Sequence, residues 1–157
     1  MTAEQVLALA RAKGIRIATA ESCTGGLIAA SLTEVAGASD VFDRGFVSYS
    51  NRAKQEMLGV QTQTLADFGA VSEAVAQEMA TGALLRAGVG LAVSVTGIAG
   101  PGGSEFKPEG RVCFGLALGA ADLRSETLEF GPIGRAQVRQ ATLAHALDLL
   151  GQALRQV

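Results

Sequence analysis

A chain of 157 residues with 48% hydrophobic and 18% charged side chains is long enough to bury one core without staples, and its composition excludes the disordered and low-complexity classes. A formal net charge of −2 argues against nucleic acid as the main partner, because phosphate-binding domains carry an excess of Lys and Arg. Only Cys23 and Cys113 are present, far apart and with a single histidine, so neither a disulfide framework nor a structural zinc site is expected.

The N-terminus has no basic segment ahead of a long apolar run, so no secretory signal is read there. The longest uncharged stretch, residues 87–104, holds six glycines and Pro101 and reads as a strand running into a loop, not as a membrane span. The expectation is a soluble cytoplasmic protein with no membrane partner.

In chain order, Thr2 and Gln5 form a capping-box start, and Val6, Leu7, Leu9 and Ala10 give a helical stripe over residues 3–13 that Gly14 stops. Residues 15–20 alternate β-branched and small side chains and read as a strand. It runs into the tight turn Glu21-Ser22-Cys23-Thr24-Gly25-Gly26, followed by a helix carrying Leu27, Ile28, Leu32 and Val35 as far as Gly37. Residues 46–50 are the next strand candidate. Asn51 then caps a short helix with Lys54, Met57 and Leu58 that ends at Gly59.

Ser72 caps a longer helix with Val75, Met79, Ala83 and Ala87 on one face and Gly88 as its stop. Residues 91–96 follow as a buried strand, and 97–104 as a glycine-rich loop. Residues 112–118 and 123–130 read as consecutive strands around a Gly119 to Asp122 turn, the clearest hairpin in the chain. A last helix over 135–156 turns Leu143, Leu147, Leu150 and Leu154 inward. Alternating strands and helices with a late hairpin predict a single three-layer α/β/α domain with a mixed, mostly parallel sheet of about five strands.

Ligands of open α/β sheets bind beyond the carboxyl ends of the strands, where the loops 21–26, 49–54 and 96–104 should converge. Ser22 stands where a strand turns into a helix. Its hydroxyl can face such a crevice while the amides of Thr24, Gly25 and Gly26 point at an anion or a developing oxyanion. A serine that merely caps the following helix suits the same position. Thr96 and the loop from Gly97 through Gly100 offer further amides, although glycine loops are also simply turns.

A serine nucleophile needs a base. His145 lies about 200° around the last helix from its apolar face and should look outward, which disfavours a Ser-His-Asp triad. Lys54 falls in the first turn of a helix, whose positive end opposes a cation and favours the free amine that a base requires; a solvated surface lysine is the competing reading. Tyr49, the only tyrosine, stands on the same segment and either orients Lys54 or packs half-buried in the core. Arg135 and Arg139, one helical turn apart, can hold a phosphate or form a solvated pair. No lysine precedes Ser or Thr and no G-x-G-x-x-G follows the first strand, which removes the Walker and Rossmann readings.

Four stretches taken together strongly resemble the CinA C-terminal domain family. They are Ala20-Glu21-Ser22-Cys23-Thr24-Gly25-Gly26, residues 44–51 with Lys54, Gly69-Ala70-Val71-Ser72, and residues 94–103. Members of that family are nicotinamide-nucleotide amidohydrolases with an α/β/α fold. The resemblance covers essentially the whole chain. It implies hydrolysis of the carboxamide of nicotinamide mononucleotide to nicotinate mononucleotide and ammonia, with Ser22 as nucleophile, Lys54 as its base and Tyr49 assisting. It implies no metal or organic cofactor, a small-molecule pyridine nucleotide as partner, and a homo-oligomer. Longer members carry a large preceding domain for which 157 residues leave no room, so a stand-alone deamidase is expected. The contrasting reading is a non-catalytic nucleotide-sensing or competence-related module in which Ser22 only caps its helix. Cys23 beside the nucleophile is a weaker rival, since a thiol without a nearby histidine lacks its usual activation.

Overall fold

Thr2 opens the chain's first helix, α1 (Ala3–Lys13): its side chain accepts from the Gln5 amide, and the Gln5 side chain returns to the Thr2 amide. The computed structural model describes residues 1–104 and 106–157. Next come β1 (Ile17–Glu21), α2 (Leu27–Thr33), a 3-10 turn (Ala38–Asp40), β2 (Phe42–Val47), α3 (Asn51–Leu58) and α4 (Thr62–Phe68). The second half holds α5 (Glu73–Ala87), β3 (Leu91–Gly97), β4 (Arg111–Leu118), β5 (Asp122–Glu129) and α6 (Arg135–Arg155). The sheet order is β2-β1-β3-β4-β5, with β2, β1 and β3 parallel and the last two strands antiparallel to their neighbours, which is the mixed sheet expected.

The two sheet faces are built from different side chains. Towards α1, α2 and α6 point Ile17, Leu91, Val93, Val95, Val112, Phe114 and Leu116, all buried. Each contributes roughly 2 kcal/mol by leaving water. Towards α5 point Ala18, Ala20, Ala92 and Ala117. Here the helix lies against the strand backbone: a Cβ on Gly115 would stand 2.3 Å from the Ala76 carbonyl oxygen, and Ser94 Oγ donates to that same oxygen at 2.5 Å. The end of α3 sits equally close to α5, since a Cβ on Gly82 would fall 2.0 Å from the Leu58 carbonyl oxygen.

Several boundaries differ from the sequence reading. β2 spans Phe42–Val47 and not residues 46–50, because its register against β1 ends with Val47 opposite Glu21 and residues beyond have no strand to follow. Its charged residues suit an edge strand, where Asp43 pairs with Arg16 at 2.9 Å and with Arg44. Ser50, not Asn51, caps α3, its Oγ accepting from the Ala53 amide at 3.0 Å. α2 ends at Thr33, well before Gly37, and the Thr33 hydroxyl donates back to the Ala29 and Ala30 carbonyls. α4 has no buried residue and hence no apolar period from which to read it. In α6, Leu147, Leu150 and Leu154 are buried as expected, while Leu143 is half-buried.

Candidate active site

At the carboxyl ends of β1 and β3 lies a crevice of about 300 Å³. The expected loops converge there: Ser22 and Cys23 after β1, Tyr49, Asn51 and Lys54 after β2, and residues 96–104 around the end of β3. Ala70 and Val71 from the α4–α5 connector and Arg135 from the start of α6 complete the wall.

Lys54 stands in the first turn of α3, and side chains on a helix lean toward its N-terminus. Its stem therefore runs back toward the residues that precede the helix. Nζ donates to the carbonyls of Ser48 and Tyr49, both at 3.1 Å, and to Ser22 Oγ at 3.0 Å. The side chain is only 1% exposed, which sets aside the solvated-surface reading. Ser22 itself is 7% exposed. Its amide donates to the Val95 carbonyl at 3.1 Å, extending the β1–β3 pairing by one residue, and its carbonyl accepts from the Gly25 amide at 3.1 Å. One side of Ser22 Oγ thus meets a buried amine while the residue faces the cavity.

Glu21 changes the picture of the turn. Thr24, Gly25 and Gly26 were expected to turn their amides toward a ligand in the crevice. None of the three lines the crevice, Thr24 is buried, and the Gly25 amide is spent on Ser22. The Glu21 carboxylate fills the start of α2 instead, accepting from the Ile28 amide and the Thr24 hydroxyl on one oxygen and from the Ala29 amide on the other. Ser22 does not cap α2; Gly26 occupies that position, with no side-chain cap.

Tyr49 is 61% exposed, so it is no core side chain, and it is its carbonyl that holds Lys54. Its hydroxyl accepts from Arg135 Nη2 at 3.3 Å, and Arg135 Nη1 donates to the Gly100 carbonyl at 2.7 Å. The two arginines have separate fates. Arg135 faces the crevice, whereas Arg139 donates from Nε to the Cys23 carbonyl and from Nη2 to the Thr24 carbonyl, both at 3.1 Å, and does not line it. The Thr96 hydroxyl donates to the Ala70 carbonyl at 2.8 Å, joining the end of β3 to the connector. Gly97 and Gly100 line the cavity. Gly100 has φ 91°, and a Cβ there would stand 1.9 Å from Glu109 Oε1.

Cys23 touches the crevice, but burial pushes its thiol up to about 11, away from the thiolate a nucleophile needs. His145 does not look out into water as its helical position suggested. α6 packs on β3 and β4, so the ring lies edge-on against Phe114 at 4.7 Å, and its Nε2 meets Glu126 Oε1 at 2.6 Å. It is not among the crevice residues. No group of three or more His, Cys, Asp or Glu able to hold a metal exists among the described residues, and no helix among them is long and apolar enough to cross a membrane.

Sequence reasoning missed the structural work of Glu21, the place of Ala70 and Val71 in the wall, and Lys107, which donates to the Phe68 carbonyl at 2.6 Å and so ties the loop after β3 to the end of α4. Only Glu21 carried a signal, as an acid placed just before a strand-to-helix turn.

Comparison with known proteins shows that residues 1–154 match the CinA C-terminal domain. A CinA-like protein of Chlorobium phaeobacteroides is 52% identical over 156 residues, 97% of this chain and 37% of that protein. The nicotinamide-nucleotide amidohydrolase PncC of Escherichia coli K12 is 51% identical over 150 residues, 95% of this chain and 90% of that protein. The chain thus spans about a third of the length of the first relative and most of the second. Among solved structures, the competence/damage inducible protein CihA from Agrobacterium tumefaciens superposes with a TM-score of 0.88 at 49% identity, covering 96% of both chains.

Proposed function

This chain belongs to the CinA C-terminal domain family, and on that footing we propose that it is an amidohydrolase that converts nicotinamide mononucleotide to nicotinate mononucleotide and ammonia through an acyl-enzyme on Ser22. The observation that carries the mechanism is the contact of 3.0 Å between Lys54 Nζ and Ser22 Oγ at the edge of the crevice. The Ser48 and Tyr49 carbonyls can only accept, so they engage two N–H bonds of Nζ. In the free amine, the form a base requires, the lone pair is then left for the Ser22 hydroxyl.

Lys54 takes the Ser22 proton as Oγ attacks the carboxamide carbon. Of the two backbone stretches that could hold the oxyanion, residues 97–100 line the crevice and 24–26 do not, and the Ile98 amide is already given to the Arg111 carbonyl. Gly97, Ala99 and Gly100 are therefore the donors in this reading. Collapse of the tetrahedral intermediate breaks the C–N bond, and the departing nitrogen takes the proton back from Lys54 and leaves as ammonia. Lys54 next deprotonates a water that attacks the acyl carbon, and return of that proton to Oγ regenerates Ser22. Arg135, at the mouth of the crevice, is the cation placed to meet the substrate phosphate.

The test is ammonia release from nicotinamide mononucleotide by the purified protein beside Ser22→Ala and Lys54→Ala. Activity in the wild type and a loss of at least about a hundredfold in both variants is expected. An inert wild type overturns the amidohydrolase reading, and fully active variants overturn the Ser-Lys pair.

A further inference from the structure

We propose that Glu21 and Arg139 are positioning residues that together brace the nucleophile turn, Glu21 through the Thr24 hydroxyl and the Ile28 and Ala29 amides of α2, and Arg139 through the Cys23 and Thr24 carbonyls. The inference rests on the reading of Ser22 as nucleophile. Five residues, 22–26, join β1 to α2, and Gly25 and Gly26 both have positive φ, 57° and 104°. A turn so short and glycine-rich does not hold itself rigid.

Glu21 is 1% exposed, and a carboxylate buried to that degree is stable only when its oxygens are satisfied. Oε1 accepts from Thr24 Oγ1 at 2.6 Å and from the Ile28 amide at 2.9 Å, and Oε2 accepts from the Ala29 amide at 3.0 Å. The residue before Ser22 is thereby locked to the residue two beyond it and to the first turn of α2. On the other side the Arg139 guanidinium reaches from α6 to the Cys23 and Thr24 carbonyls with two different nitrogens. A planar fork fixes the relative direction of two carbonyls in a way a lysine cannot. Neither residue lines the crevice, so neither reaches substrate held there. Between the two holds stands Ser22, whose Oγ must stay within reach of Lys54 Nζ.

The experiment uses the whole chain with Glu21→Gln and Arg139→Lys. Gln keeps the shape of Glu, but whichever oxygen its NH2 replaces, that NH2 meets a backbone N–H, of Ile28 or of Ala29. Steady-state kinetics with nicotinamide mononucleotide are combined with the rate at which an alkyl fluorophosphonate labels Ser22, read by mass spectrometry, and circular dichroism reports the fold. The label carries no pyridine nucleotide, so it reports the nucleophile independently of the substrate assignment. The expected result is a fall in kcat between about tenfold and a hundredfold, KM within about twofold of wild type, and a parallel fall in labelling. If Glu21→Gln does not fold, Glu21→Asp keeps the charge, withdraws it by one methylene, and is expected to show the same kcat loss.

Wild-type kcat and labelling in the folded variants would overturn the brace. A raised KM with unchanged kcat and labelling in Arg139→Lys would make Arg139 a substrate ligand and overturn its part. A wild type that is labelled but releases no ammonia loses the substrate assignment while the labelling rates still decide the brace. A wild type that is never labelled removes Ser22 as nucleophile and this inference with it.

Discussion

Replacing Gly82 with alanine adds one methyl group far from the crevice, yet it should reach the chemistry. A Cβ at this position falls 2.0 Å from the Leu58 carbonyl oxygen and 2.8 Å from the Leu58 carbonyl carbon, whereas ordinary contact starts at 3.4 Å. A gap of about 1.4 Å must therefore open between α5 and the end of α3. Lys54 lies one turn before Leu58 on the same short helix, and its Nζ is 3.0 Å from Ser22 Oγ. A shift approaching that size takes the amine beyond the ~3.5 Å limit of a hydrogen bond.

Ammonia release from nicotinamide mononucleotide should consequently fall by about tenfold to a hundredfold. Overpacking costs about 1–3 kcal/mol, and alanine in place of glycine inside a helix returns about 1 kcal/mol. The net loss of up to about 2 kcal/mol lowers Tm by about 4–8 °C in a domain of this size. Thermal unfolding followed by circular dichroism gives the change in Tm, and a coupled ammonia assay gives the change in turnover. Wild-type melting together with wild-type turnover would refute the reasoning; a lowered Tm with unchanged turnover would refute the mechanical link between α5 and Lys54.

Other consequences can be measured separately. Arg135→Ala should raise KM for nicotinamide mononucleotide about tenfold or more while leaving that for the unphosphorylated riboside within about twofold, and an equal rise for both would show that Arg135 does not read the phosphate. Gly100→Ala forces a side chain onto φ 91° and against Glu109, so turnover should drop at least about tenfold; unchanged kinetics would mean that the loop's shape is irrelevant to the reaction. Iodoacetamide at pH 8 should leave Cys23 untouched in the folded protein and alkylate it in guanidinium, because burial holds the thiol at about 11; rapid native alkylation would contradict that. The raised thiol also binds its proton more tightly in the folded state than in the unfolded one. Its stabilising effect is complete below about pH 9 and is lost as pH rises toward about 11, so Cys23→Ala should flatten the alkaline decline of Tm.

How much was legible depended on whether a residue's role is local. Caps and stops speak within four residues, so α1 from Thr2 to Gly14 and α5 from Ser72 to Gly88 were read nearly to the residue. The hairpin of β4 and β5 was legible because two strand-like runs flank one short turn that starts at Gly119. β2 was misplaced because an edge strand exposes charged residues and its length is set by the partner it pairs with. In the site, the convergence of Ser22, Lys54 and the loop after β3 follows from strand order, which the alternation of elements made accessible. The split between Arg135 and Arg139 does not, since one helical turn separates an arginine that faces the cavity from one that grips carbonyls of another segment. Glu21 likewise acts on residues seven and eight positions away, a span no capping pattern covers.

The unequal faces of the sheet also set how freely this sequence can drift. Against α1 and α6, branched side chains meet branched side chains, and exchanges that conserve volume cost less than about 1.5 kcal/mol. Against α5, a methyl at Gly115 would stand 2.3 Å from the Ala76 carbonyl oxygen and 2.5 Å from Ser94 Oγ, so it meets helix backbone that cannot fold away. In a library randomised on both faces, survivors will vary at Ile17, Val93 and Leu116 and stay monotonous at Ala92, Ser94 and Gly115. β1 and β3 deliver Ser22 and the glycine loop from their ends, so the monotonous face is also the one that keeps the width of the crevice constant while the rest of the protein diverges.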